Sequence, residues 1–254
     1  MSARGDSIQA LIGLCLCFLQ LLLGLLNNQI SMPLKFANNI LLGSWISTYL
    51  FLLLHESSHN LVFGPSYPRW NQLYGLFLNL FCGVPVFAFY KKHHKDHHKF
   101  QGEHTLDVEY PTELEMRLLN RTPASRFLWL QMNPIFQNLR SKFQGLRKPF
   151  SWEERINQGS MLAVTAGLFW FGYPWVWTHF AMSFFVATGT NLIGLWGLVA
   201  HTLFFGKEDT VSYYGWLNPF YMNFGHHLEH HDFPNVPARF LPMVRQERIQ
   251  TAYC

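Results

Sequence analysis

Eight of the thirteen histidines fall in three windows of five residues: His55-Glu56-Ser57-Ser58-His59, His94-Lys95-Asp96-His97-His98 and His227-Leu228-Glu229-His230-His231. Imidazole is the commonest metal ligand, and an i, i+3, i+4 spacing on a helix turns side chains to one face. One structural zinc needs only four ligands and is usually rich in Cys. Three repeats of the arrangement therefore predict more than one ion. With His201 the clusters supply nine imidazoles, enough for the inner shells of two metal ions. Neutral imidazole suits iron, copper, nickel and zinc. Zinc performs Lewis-acid and hydrolytic work, for which three ligands and a water suffice. Two redox metals have a different use: they activate dioxygen and remove hydrogen from an unactivated C–H bond.

Three other readings compete. His55-Glu-Ser-Ser-His59 fits HExxH, the zinc-protease helix with Glu as general base, but a protease needs one further ligand, not seven. A histidine-rich tract that merely collects metal predicts loose repetition rather than three tight spacings. A zinc-binding multispan receptor or transporter would carry its ligands near the middle of the bilayer.

The elements that must position these residues are apolar helices. Hydrophobic residues make up 49% of the 254 and charged ones 13%, against roughly 25% charged in ordinary soluble domains. Residues 8–26 and 36–54 are long apolar runs, the second ending on His55. About 19 helical residues span roughly 28 Å, close to the bilayer's hydrocarbon core. Residues 160–178 and 180–203 predict two more spans. Residues 73–90 are apolar but interrupted by Asn79, Gly83 and Pro85. They read as a re-entrant or interfacial segment, tolerated where protein covers its free backbone groups. The first run is expected to be a retained anchor, since it exceeds the roughly 7–15 apolar residues of a signal peptide and no small-x-small site follows. The expected fold is an all-α membrane protein of about four transmembrane helices, one domain over residues 1–254, with a cytosolic histidine-rich cap.

With both termini on one side, that side receives the N-terminal tail, residues 55–159 and 204–254 and 18 of the 19 Lys and Arg; only Lys35 lies opposite. The positive-inside rule makes this side cytosolic. The net charge of +4 then needs no nucleic acid to explain it. The sequon Asn120-Arg-Thr122 falls on the same side and is expected to carry no glycan. Cys15, Cys17, Cys82 and Cys254 form no metal-type CxxC and read as small apolar filler. All three clusters and His201 converge on the cytosolic membrane face, where the natural substrate is the alkyl chain of a lipid. Glu56, Asn60, Asp96, Glu229 and Asp232 are the polar neighbours of the clusters, expected to hold the second ring nitrogen of a ligating histidine. His93, His104 and His226 are expected beside the site or on the surface, and His179 at the far membrane interface.

The HxxxH, HxxHH and HxxHH series resembles the integral-membrane fatty-acid desaturases. The likeness extends to one branch, the sphingolipid Δ4-desaturases acting on dihydroceramide. It is carried by residues 55–60 and 94–98, by Asp107-Val-Glu-Tyr-Pro111-Thr112-Glu113, by Ser212-Tyr213-Tyr214-Gly215, and by residues 223–237 continuing to Leu241-Pro242. The resemblance implies four spans in the endoplasmic reticulum, a cytosolic pair of irons and electrons from cytochrome b5. It places the iron ligands on His55, His59, His94, His97, His98, His227, His230 and His231, with His201 as the additional one. An acyl-lipid or acyl-CoA desaturase, or a lipid hydroxylase, would use the same centre. Two features depart from the branch. Its HFxxEH pattern reads Trp196-Gly-Leu-Val-Ala200-His201 here, and its longer polar N-terminal segment has no counterpart in this sequence.

Overall fold

A computed structural model describes residues 5–103, 105–119, 121–143, 150–201 and 210–252. These residues are helical or irregular, with no strand among them. The apolar run at the start forms α1 (Ser7–Leu26). The second run is one continuous helical column: α2 (Met32–Ala37), a π-helical turn at Asn38–Gly43, and α3 (Ser44–Ser58). Among the described residues, α1 and this column are the two helices long and apolar enough to cross a bilayer. Leu11, Phe18 and Leu22 of α1 and Leu41 and Leu42 of the column stand exposed, as side chains meeting hydrocarbon do.

α3 is the central helix. It packs against α1, α4 (Pro68–Asn79), α5 (Phe87–Phe100) and α9 (Pro174–Thr188). Leu50, Leu53, Leu54, Leu78, Phe87 and Phe184 meet around it as the main core. α3 ends in a Schellman stop, with Asn60 in the left-handed region at φ 60°. Leu61 N–H donates to Glu56 O at 2.9 Å and Asn60 N–H to Ser57 O at 3.1 Å. Asn60 thus terminates the helix that carries His55 and His59.

The interrupted stretch 73–90 is a pair of helices with a turn between them. Asn79 supplies the turn with partners: its amide donates to Val84 O at 2.6 Å and accepts from Val86 N–H at 3.0 Å and Phe87 N–H at 2.6 Å. Trp177 Nε1–H covers Gly83 O at 3.0 Å. The backbone freed by Pro85 and Gly83 is therefore satisfied by protein, and α5 starts where Asn79 sets it.

α6 (Glu113–Leu119) and α7 (Pro123–Phe143) cross beside the site. α8 (Trp152–Trp170) opens on a capping box between Ser151 and Glu154. The two spans expected at 160–178 and 180–203 are divided differently. Hydropathy runs unbroken through 171–173, but Gly172 at φ 81° and Pro174 turn the chain there. Tyr173 N–H donates to Leu168 O at 2.7 Å, closing a second Schellman stop. α9 then breaks at 189–191 before α10 (Leu192–Val199). His179, expected at the interface, is wholly buried inside α9, its Nδ1 2.6 Å from Asn39 Oδ1 of the π-turn. Polar Asn27, Asn38 and Asn39 close the same buried network. α11 (His227–Asp232) and α12 (Leu241–Ala252) complete the described chain. Cys15, Cys17 and Cys82 are free thiols; Cys254, His104 and Asn120 lie outside the described residues.

Candidate metal centre

The end of α3, one face of α5, the residue closing α10 and the whole of α11 bring nine imidazoles together. They form two all-imidazole groups, bridged by a third set of His94, His97 and Glu109. The ring nitrogens of His55, His59, His94, His98 and His230 lie within 4.8 Å of one another. His97, His201 and His231 make the second group on the same measure, and His227 Nε2 joins it 2.9 Å from His201 Nε2. Spacing alone placed all three histidines of a cluster on one face. The structure divides them reciprocally. α5 gives its i, i+4 pair, His94 and His98, to the first group and His97 to the second. α11 gives its i, i+4 pair, His227 and His231, to the second and His230 to the first.

The nitrogens face each other as metal ligands do. His98 Nε2 is 3.1 Å from both His94 Nε2 and His230 Nε2, and His97 Nε2 is 3.1 Å from His201 Nε2. Two imidazoles about 2.1 Å from one ion at a right angle would be about 3.0 Å apart. Both ring nitrogens of buried His55, with His59 Nε2 and His231 Nε2, find no hydrogen-bond partner in the chain. A buried polar atom left unsatisfied costs about 1–3 kcal/mol, and a cation here would take one lone pair from each of these three rings, His55 keeping its proton on the other nitrogen. The donor set, all imidazole and no thiolate, fits iron as well as zinc or copper.

Two carboxylates that spacing had not assigned orient the rings. His94 Nδ1 lies 2.7 Å from Glu109 Oε1, and His97 Nδ1 lies 2.8 Å from Asp107 Oδ2. A proton on each Nδ1 leaves Nε2 as the free lone pair. The usable signal was a pair of acids two apart in the loop after α5.

Burial, then the neighbouring rings, push His59, His94, His227 and His230 far below the ordinary imidazole value. Burial and the His97 charge take His98 to about 3. His97 rises: burial opposes its charge, but Glu109 and Asp107 outweigh it. Burial lifts Glu109 to about 7. A ring with a lowered folded-state pKa is neutral when folded and takes a proton only when unfolded. Its stabilising effect is present above the ordinary value of 6.5 and is lost as pH falls; for His98 the loss runs from 6.5 to about 3. The metal-free protein should therefore show a thermal midpoint that drops steadily below about pH 6. Scanning fluorimetry in detergent checks this, and a flat midpoint from pH 7 to 4 would contradict it.

The polar neighbours named from sequence have other partners. Glu56 Oε1 lies 3.8 Å from His55 Nδ1, while its Oε2 accepts from Ala238 N–H at 3.2 Å and Gln9 Nε2 at 3.4 Å, tying α3 to the C-terminal segment and to α1. Glu229 accepts from Ser212 Oγ and Tyr214 OH, both at 2.8 Å, and so anchors α11. Asp96 lies 3.8 Å from His93, which stacks on Phe89. Asp232 ends α11 and is exposed. His226 caps the start of α11 and lies 3.8 Å from Glu229.

A cavity of about 590 Å³ opens against the imidazoles. Phe51, Leu52, Val86, Phe89, Phe184 and Phe224 line it, with His55, His94, His97, His201 and His227 at its polar edge. Among the described residues, no Lys or Arg lines it. Trp196, Asn133 and Gln137 also face it, and Trp196 Nε1–H is buried without a hydrogen-bond partner.

Residues 33–253 match the model of a fatty acid desaturase family. Curated relatives share the likeness. One is the sphingolipid delta(4)-desaturase DES1 of Mus musculus, 35% identical over 205 residues. Another is the sphingolipid delta(4)-desaturase/C4-monooxygenase DES2 of Bos taurus, 37% identical over 206. DES1 of Drosophila melanogaster is 36% identical over 204. Each alignment covers 80% of this chain, and the chain spans 62–63% of the length of these relatives. No solved structure gives a significant match.

Proposed function

This chain belongs to the fatty acid desaturase family, and from that premise we propose that it is an O2-dependent membrane desaturase acting on the alkyl chain of a lipid, the sphingoid base of dihydroceramide at Δ4. The observation that carries the reading is one cavity, apolar along its wall, with both imidazole groups at its edge. His55, His59, His94, His98 and His230 would hold one iron, and His97, His201, His227 and His231 the other. Bound iron would supply the one-electron and dioxygen chemistry for removing two hydrogens from adjacent methylenes. Balance requires O2, two electrons and two protons for each double bond and two waters formed. A separate donor of the cytochrome b5 type is the source of electrons.

The chain's own residues do the rest. Phe51, Phe89 and Phe184 hold the alkyl chain by burial, at about 0.8 kcal/mol per methylene. Tyr90 stacks on His94 at 4.6 Å and Phe224 meets His55 edge-on at 4.8 Å, closing these rings to water. Asp107 and Glu109 keep a proton on Nδ1 of His97 and His94. A Δ4 reaction brings the polar end of the lipid within a few bonds of the reacting carbon, so hydrogen-bonding groups belong in the cavity itself. Asn133, Gln137 and Trp196 are such groups, and they suit a neutral amide and hydroxyl head. Trp196 stands where the Δ4 pattern has a histidine and still offers a ring N–H. The membrane of residence is the endoplasmic reticulum, with the imidazoles on the cytosolic side.

Expression in a desaturase-deficient host, with lipid profiling by mass spectrometry, tests the reading. A new double bond at C4 of the long-chain base is the expected product. A new C4 hydroxyl would make it a hydroxylase, an outcome made specific by the bovine desaturase/C4-monooxygenase among its relatives. Double bonds confined to glycerolipid acyl chains would overturn the substrate.

A further inference from the structure

Arg140 lies outside every motif above, yet it is one of the largest fully buried side chains. A buried guanidinium is costly unless each of its five donors is used. Here all five are. Nε–H is shared by the two oxygens of Glu115, at 3.0 and 2.8 Å. The Nη2 group donates to Glu115 Oε1 at 2.7 Å and Asn133 Oδ1 at 3.0 Å. The Nη1 group donates to Val108 O and Glu109 O, both at 3.1 Å. Glu115 is itself fixed by Thr112 N–H at 2.9 Å and Trp129 Nε1–H at 3.2 Å.

The two carbonyls belong to the loop that presents Asp107 and Glu109. Asp107 is wholly buried, and its other oxygen accepts Glu109 N–H at 2.9 Å. The loop thus has one conformation in which Asp107 reaches His97 and Glu109 reaches His94. Those rings belong to different groups: His94 to the first and His97 to the second.

We propose that Arg140 is a positioning residue for both halves of the metal centre, fixing the 107–109 loop through the Val108 and Glu109 carbonyls so that Asp107 and Glu109 each orient one ligating imidazole. The inference rests on the metal-centre reading above. Loss of such a partner typically lowers metal affinity about 10–100-fold, and through Arg140 the loss falls on both sites at once. Charge alone does not suffice. A lysine at 140 keeps a cation opposite Glu115, but one ammonium with three donors cannot also span two carbonyls and Asn133.

The test is a titration of the metal-free full chain in detergent with cobalt(II) against a competing chelator, followed by visible absorption. Arg140→Met and Arg140→Lys are both expected to bind about 10-fold or more weakly at both sites. Asp107→Asn should weaken mainly the site of His97, and Glu109→Gln mainly that of His94. Should Arg140→Met fail to fold, Arg140→Lys carries the test. Wild-type affinity in Arg140→Lys, or weakening confined to one site, overturns the proposal. A wild-type chain that takes up no cobalt overturns it together with the metal-centre reading.

Discussion

Replacing His201 with alanine is expected to abolish turnover while the helical fold survives. His201 Nε2 stands 3.1 Å from His97 Nε2 and 2.9 Å from His227 Nε2, so it joins the α5 and α11 contributions to the second group. Without it, three imidazoles remain for an ion that had four. A missing supporting partner costs about 10–100-fold, and a missing ligand should exceed that range. Activity should fall more than about 100-fold, and iron should drop from two per chain toward about one. His201 is half-buried at the end of α10, away from the core around α3, so helix content and detergent-solution monodispersity should not change. Iron analysis by mass spectrometry with product assays decides it. Full iron and full turnover in His201→Ala would remove the residue from the ligand set.

Gly197→Phe should give the opposite pattern, with metal retained and substrate lost. Gly197 lines the cavity, and a Cβ placed there meets nothing within 4 Å. A Cβ therefore needs no backbone movement, and a phenyl ring attached to it is expected to take space from the alkyl chain. Excluding three methylenes at about 0.8 kcal/mol each removes about 2.4 kcal/mol, roughly 50-fold in kcat/KM. The substitution also replaces a poor helix former in α10, so folding should not suffer. Unchanged kcat/KM with a folded, iron-loaded variant would show that the lipid lies elsewhere.

The two predictions separate what was legible in the sequence from what was not. Imidazole density and helical spacing picked out eight of the histidines that the fold gathers, because a histidine cluster at the end of an apolar run is rare on other grounds; the ninth, His201, came from its place near the end of a span and from the family likeness. Their division between two groups was not legible. It depends on how α5 and α11 face one another, and one-dimensional spacing cannot register that. Asp107 and Glu109 sit in a loop without periodicity, and Arg140 is reached only after another helix intervenes. Such partners are chosen by tertiary distance, so nothing in local sequence pairs them. The helix boundary at 171–173 did leave a sign in Gly172 and Pro174, which unbroken hydropathy obscured. His179 was assigned by its place between apolar runs, while its actual partner, Asn39, lies across the bundle.

The crossed division of α5 and α11 has a consequence for assembly. Neighbouring residues His97 and His98, and likewise His230 and His231, serve opposite groups. Successive residues on a helix are turned by about 100°, so in the proposed two-metal centre backbone geometry itself would act as a ruler for the separation of the ions. The first ion to arrive would immobilise both helices, and that ordering would already be complete when the second arrived. Uptake should then be cooperative, with half-loaded chains scarce. Adding one residue inside either helix would spoil both halves together, so insertions that leave one ion working and one lost are not available to this architecture.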